Sequence, residues 1–315
     1  METDPCRDAY GLLDSVELYG SLFFALISTS LYCWLIHKIV RNKQFHHPFY
    51  YQFVFLALTN ILLWCSVYFM HRLIPSPWIC PSLFPRFLAP TYYFKPFVIL
   101  YFMAIAAQLM VIMLICVHRM CSVVWPLRAE KFWTKRSNYL LLTIICFSIL
   151  YGGLFFSIGT GIDFMGSRIT IRFQINWPFI NPSLTTAIFS LVCLVTICFS
   201  TVVTLIGLKR TKLQVKDAEI NMFRTSVGFS VTTIFVLLFM ILFYVLHVLK
   251  LGGGSLLAIV FDFRGLVFDI NCMMPAWLLY FTNRRIRKGA SQMTNVSTIE
   301  RPGTGSVTGS YSRGW

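Results

Sequence analysis

Seven stretches of the chain run for the width of a bilayer with few or no charged side chains, and short charged or Pro-rich segments separate them. Glu17 and His37 bracket the first, residues 18–36; Phe49 to Met70, Pro96 to Val117 and Ser137 to Ile162 follow. The fifth charge-free run, Phe173 to Leu208, begins with the polar, Pro-punctuated QINWPFINP, so its spanning part is placed at about Leu184–Gly207. The sixth is Thr225 to Leu246, and the seventh, about Leu256 to Phe281, is interrupted by Asp262, Arg264 and Asp269. An α-helix needs about 20 residues to cross the hydrocarbon, whereas a barrel strand needs about 9–11. The pattern predicts an all-α, seven-transmembrane helix bundle. A soluble core of seven buried helices is ill-suited to 315 residues, which leave no polar shell to cover it.

Composition agrees: 57% of residues are hydrophobic and only 12% are charged, against roughly 25% charged in soluble domains. The net charge of +15 gains meaning from its distribution. With the odd-numbered connections and the C-terminal segment on one side, that side holds 19 of the 27 Lys and Arg residues. The excess predicts an N-terminus outside and a C-terminus in the cytoplasm. The basic balance then faces anionic membrane lipid rather than nucleic acid. Residues 1–17 form a short extracellular N-terminus, 18–290 the seven-span domain, and 291–315 a Ser/Thr/Gly-rich cytoplasmic tail with little to bury, hence disordered. The first span reads as a retained signal anchor, and no internal repeat suggests the duplicated halves of transporters.

Eight of ten cysteines (Cys33, Cys65, Cys116, Cys121, Cys146, Cys193, Cys198 and Cys272) fall within spans or at their inner edges, where they read as small buried hydrophobes. Cys6 and Cys80 fall outside, and a disulfide between them, two free thiols, or Cys80 packed at the membrane interface all fit. Segment 71–95, with its five Pro and six aromatic residues, serves either as a lid over the bundle mouth or as an interfacial anchor.

Charges inside spans cost several kcal/mol unless paired or hydrated, so they are the first candidates for function. Asp262 and Arg264, near the outer end of the seventh span, border a possible outer cavity. Asp269 lies deeper and is expected in a polar network with Asn60 and Asn271, beside Pro275, acting as a conformational latch or as a static hydrogen-bonded site. At the inner end of the third span Arg119 is a permanent cation, either a topology anchor or a switch, and Pro126 marks a turn after it. Lys209, Arg210 and Arg224 flank the third inner connection. There is no metal-binding His-Glu-x-x-His, no catalytic Ser/His/Asp arrangement and no phosphate or dinucleotide loop, so no enzyme, metal or cofactor is expected. Gly252–Gly254 reads as a tight outer turn.

His118-Arg119-Met120, followed by Val123, Val124, Pro126 and Leu127, resembles the Asp-Arg-Tyr motif and trailing Pro-Leu of rhodopsin-like G-protein-coupled receptors. His replaces the motif's Asp, and Asn60 in LALTN stands where such receptors usually have Asp. The seventh span, with Asp269, Asn271, Pro275 and Tyr280, resembles a degraded Asn-Pro-x-x-Tyr region whose Pro–Tyr spacing is wrong. The usual outer disulfide cannot form in its normal place, the sixth span lacks the Trp–Pro toggle, and the fourth lacks its Trp. The combination of ELYGSLFFALISTSLY, HHPFYYQFVFLALTN, CVHRMCSVVWP and the seventh-span Asp and Pro resembles the nematode serpentine chemoreceptors of class V and class gamma, over about residues 15–290. That resemblance implies a plasma-membrane receptor of chemosensory neurons that couples an extracellular small molecule to a heterotrimeric G protein. It implies a coupling face formed by His118, Arg119, Pro126, Lys209, Arg210 and Arg224. Tail Ser and Thr residues would then be substrates for a regulatory kinase and the docking site of an arrestin. A multi-pass transporter or channel is the alternative reading.

Overall fold

The structure is a computed structural model, and it describes residues 12–42, 45, 47–73, 76, 95–156, 159–165, 168–174, 182–210, 217–249, 253–283 and 286. Among these residues seven long helices lie side by side: α1 Leu12–Arg41, α2 Pro48–Tyr68, α3 Lys95–Val124, α4 Pro126–Gly153, α5 Pro182–Arg210, α6 Asp217–Leu249 and α7 Gly253–Thr282. Their starts follow local chemistry. Pro48 and Pro126 occupy first-turn positions, where a missing N–H costs nothing and the fixed φ suits a helix. His47 caps α2 by accepting the Phe49 N–H on Nδ1. At its far end α2 runs into a π-helical turn, Phe69–Leu73.

Among the described residues five segments are long and apolar enough to cross a membrane: Ser15–Arg41, Pro48–Leu73, Lys95–Val124, Leu184–Leu208 and Gly265–Thr282. In α4 the first turns carry PLRAEKFWTKR, so its apolar part begins only at Ser137; in α6 the apolar stretch Phe223–Phe239 is shorter. The outward faces tell the same story. Phe23 and Leu26 on α1, Leu142 and Leu150 on α4, Val195 and Phe199 on α5, and Val231 and Phe235 on α6 are all exposed. A continuous belt of this kind exceeds any apolar patch that a water-soluble monomer tolerates. The chain is a multi-pass membrane protein.

The most enclosed helix is α3, packed by α2, α4, α5 and α6. It packs tightly on α4 at Gly152, where a Cβ would collide with the Met103 side chain and come within 3.0 Å of the Ile99 carbonyl oxygen. Only glycine lets the two backbones meet there.

Several expectations change. The fourth apolar run does not stay helical to Ile162: α4 ends at Gly153, and residues 159–165 and 168–174 form an antiparallel hairpin, β1 Gly159–Met165 and β2 Arg168–Gln174. The alternation in RITIRFQ has the period of a strand, and Gly166-Ser167 is a sequence that two-residue hairpin connections favour. Both signals lie almost wholly between the fourth and fifth charge-free runs, where run length carries no information. β2 approaches the π-helical turn of α2, so the hairpin lies at that end of the bundle. The stretch after Pro126 is helix rather than loop, with Trp125 as its sole separation from α3. Of the eight cysteines read as buried, Cys33, Cys65 and Cys146 are instead exposed on the outer surface. In a bilayer a thiol satisfies either environment, so span membership does not fix its direction.

Candidate functional site

The most buried carboxylate among the described residues has a partner that the sequence reading assigned to a loop. Asp269 retains 4% of its surface and Arg72 retains 5%. Arg72 Nη1 donates to Asp269 Oδ1 at 2.9 Å, and Nη2 donates to Oδ2 at 2.7 Å, a two-pronged ion pair. Trp64 Nε1 donates to the same Oδ1 at 3.0 Å. On the other side of the guanidinium, Nη1 donates to Ser21 Oγ at 2.7 Å and Nη2 lies 3.3 Å from Glu17 Oε1. Helices α1, α2 and α7 thus converge on one buried cation. Gly265 makes room for it: a Cβ there would collide with the Glu17 carboxylate and come within 2.7 Å of Arg72 Nη2.

The π-helical turn explains why Arg72 points inward. Trp64 and Arg72 are eight residues apart, which in a regular α-helix leaves them about 80° out of line. The wider turn at Phe69–Leu73 advances the chain less per residue and brings both side chains onto Asp269. This corrects two expectations. Arg72 is not an outer-loop residue, and Asp269 is not bonded to Asn60 or Asn271. A buried carboxylate gains more from a cation than from neutral amides.

Asn60 and Asn271 do meet, through a residue that the sequence reading overlooked. Gln108 on α3 donates from Nε2 to Asn60 Oδ1 at 2.7 Å and accepts on Oε1 from Asn271 Nδ2 at 3.0 Å. Asn60 Nδ2 in turn donates to Tyr32 Oη at 2.9 Å, and the Tyr32 hydroxyl donates to the Cys272 carbonyl at 2.7 Å. Pro275 lies inside α7 and has no N–H to offer the Asn271 carbonyl four residues back. The loosened turn is the one in which Cys272 accepts Tyr32. All four polar side chains are buried, so four helices are tied by one chain of amides and a hydroxyl. Gln108 is the single amide within the long apolar third span, a signal that was present in the sequence.

At the other end, His118 and Arg119 are buried rather than displayed. His118 Nδ1 lies 3.1 Å from Gln52 Oε1, and its ring stacks on Trp133 of α4 at 4.4 Å and on His47 at 5.8 Å. The Arg119 guanidinium sits 4.4 Å over the Phe49 ring of α2, a cation–π contact. Nearby, α3, α5 and α6 are joined where Cys116 Sγ and Thr201 Oγ1 both meet Ser230 Oγ, at 3.2 and 3.0 Å.

His47 is held neutral, because burial and the adjacent Arg119 charge pull its pKa down to about 4. Its Nδ1 accepts the Phe49 N–H only when unprotonated. The unfolded chain takes up this proton near 6.5, so stability is full above that pH and declines as pH falls toward 4. His47→Asn keeps a capping acceptor but cannot titrate. The variant's thermal midpoint in detergent should fall less than the parent's between pH 7 and pH 5; equal slopes would remove His47 from this account.

Arg224 is exposed on α6, and Lys209 and Arg210 close α5, although their side chains lie outside the described ones. The side chains of Asp262 and Arg264 on α7 do so too, as do Cys6, Cys80, most of the 71–95 segment and the 291–315 tail. Among the described residues no group of three or more His, Cys, Asp or Glu side chains forms a metal site.

Comparison with known proteins gives two matches. The family model described as Srg family chemoreceptor matches residues 18–290. Serpentine receptor class gamma-16 of Caenorhabditis elegans is 28% identical over 98 residues, or 31% of this chain and 29% of that protein. The alignment thus covers under a third of the relative's length.

Proposed function

The chain belongs to the Srg family of chemoreceptors, and on that premise we propose that it crosses the membrane seven times, N-terminus outside, and converts binding of an extracellular small molecule into heterotrimeric G-protein activation. It is a receptor and not an enzyme. Residues 1–17 are extracellular in this reading, 18–290 form the receptor domain, and 291–315 are a cytoplasmic tail on which a kinase and an arrestin act. The cell surface in question is that of chemosensory neurons.

The observation that carries the coupling mechanism is Arg119, a permanent cation at the inner end of α3, closed under the Phe49 ring of α2. Such a contact is a resting state that an agonist can open. Agonist binding shifts the α1–α2–α7 junction at Arg72 and Asp269, and the Asn60–Gln108–Asn271 chain passes the strain to α3. The Cys116–Ser230–Thr201 contact then parts, and Arg119 swings toward the G protein between α3 and α6. The cations Lys209, Arg210 and Arg224 flank that opening.

Reconstitution with a G protein tests the reading. Ligand should accelerate nucleotide exchange in the parent receptor. Arg119→Ala should remain at the ligand-free level while reaching the cell surface at parental density. Full signalling by Arg119→Ala at matched density would sink the role of Arg119, and ligand-dependent flux without exchange would sink the receptor reading.

A further inference from the structure

The first three turns of α4 are the most basic exposed surface among the described residues, and they continue directly into the lipid-facing wall. Arg128, Lys131, Lys135 and Arg136 are exposed, together with Trp125 and Phe132. No ion pair among the described residues engages these four cations. The Arg136 guanidinium lies 5.3 Å over the Phe132 ring, so this part of the patch holds a charge and an aromatic face together.

Their arrangement round the helix is specific. At about 100° per residue, Arg128, Lys131, Phe132 and Lys135 fall within an arc of about 100°. The opposite side, carrying Ala129, Trp133 and Ser137, is buried against the bundle. Glu130, the acidic residue of these turns, lies about 160° round from Phe132, off the basic arc. Followed up the helix, the same arc carries Tyr139, Leu142, Cys146, Ile149 and Leu150, all exposed. That face carries no charge after Arg136, and the exposed polar residues flanking it, Asn138 and Thr143, are neutral, with the Thr143 hydroxyl bonded back to the Tyr139 carbonyl, so the hydrocarbon edge is placed near that turn. Lys135 and Arg136 then stand at headgroup depth, and Lys131 and Arg128 lie progressively farther out, about 12 Å from end to end of the run.

We propose that this face of α4 binds the headgroup of a multiply phosphorylated membrane lipid. A clustered run of Lys and Arg next to a membrane-spanning helix attracts anionic lipid. A headgroup with one phosphate near the glycerol reaches only Lys135 and Arg136. One carrying further phosphates on a ring extends along the run to Lys131 and Arg128 and is selected over singly charged lipids. Phe132, about 6 Å out from Arg136, anchors these turns in the interface. The site stabilises the seam where α4 meets α3, since Trp133 on its inner face stacks on His118. This rests on the proposed membrane topology for which leaflet is met, but not for the binding itself.

The test uses the full chain in nanodiscs of phosphatidylcholine carrying a small fraction of either phosphatidylinositol bisphosphate or phosphatidylserine at equal total charge. Both leaflets have the same composition, so the result does not depend on topology, which side-specific thiol labelling of an Arg128→Cys variant checks separately in cells. Retention of the bisphosphate lipid, read by native mass spectrometry, should exceed that of phosphatidylserine by at least about tenfold. The combined Arg128→Gln, Lys131→Gln, Lys135→Gln and Arg136→Gln variant should lose that preference, while Arg41→Gln on α1 keeps it. Equal retention of the two lipids in the parent would overturn the proposal. So would an unchanged preference in the fourfold variant, or a variant that keeps the lipid and loses only G-protein docking.

Discussion

Asp269→Ala will destabilise the receptor by about 3–5 kcal/mol, because it leaves a buried guanidinium facing an empty carboxylate site. Arg72 cannot escape to water: it is 5% exposed and hemmed in by Ser21, Trp64 and Gly265. Glu17 stays within reach at 3.3 Å, but a single long contact does not replace a two-pronged one. Thermal unfolding in detergent, with surface density in cells as a second readout, measures the loss. The informative comparison is Asp269→Ala combined with Arg72→Met. Removing both charges leaves Glu17, about a quarter exposed, to be hydrated, and most of the lost stability should return. A double variant as unstable as the single one would mean that the damage comes from lost packing or from the Trp64 hydrogen bond rather than from an unpaired charge.

The second large effect is expected at Gln108. Gln108→Met conserves volume but leaves Asn60 Oδ1 and Asn271 Nδ2 short of a partner in a place that water does not reach. Each unsatisfied buried group costs about 1–3 kcal/mol, so roughly 2–6 kcal/mol is at stake. Combining Gln108→Met with Asn60→Leu and Asn271→Leu removes the stranded groups and should restore a large part of it. Signalling separates the two roles left open for this network. A triple variant that is stable but silent identifies a transmitting latch, whereas one that is stable and fully responsive identifies a static tie. A Gln108→Met variant with parental stability would show that the chain of amides is not closed.

What could be read from the sequence divides along physical lines. Helix existence was legible because hydrocarbon thickness and a fixed rise per residue convert directly into run length: Leu184–Gly207 was expected and α5 covers Pro182–Arg210. The inner cluster was half legible. Arg119 stood out as a cation, but Pro126 read as a turn where the structure starts a helix, and nothing in the order of residues told that His118 would stack on both His47 and Trp133. The β-hairpin was missed because its alternating, Arg-containing strand falls between two charge-free runs, where run length carries no information. Gln108 was missed because one neutral amide barely changes the apolar character of its span.

The sequence by itself determined that several long apolar helices exist, roughly where they lie, and the family, all of which depend on composition and order along one dimension. The tertiary structure alone decided which groups satisfy one another. Arg72 is the clearest case: one turn of π-helix at Phe69–Leu73 rotates it from the position that α-helical periodicity assigns onto the carboxylate of Asp269. A change of a fraction of a turn leaves hydropathy untouched yet moves a guanidinium from the rim of the bundle into its interior, because in a helix direction depends on accumulated angle while burial of an apolar run depends only on length.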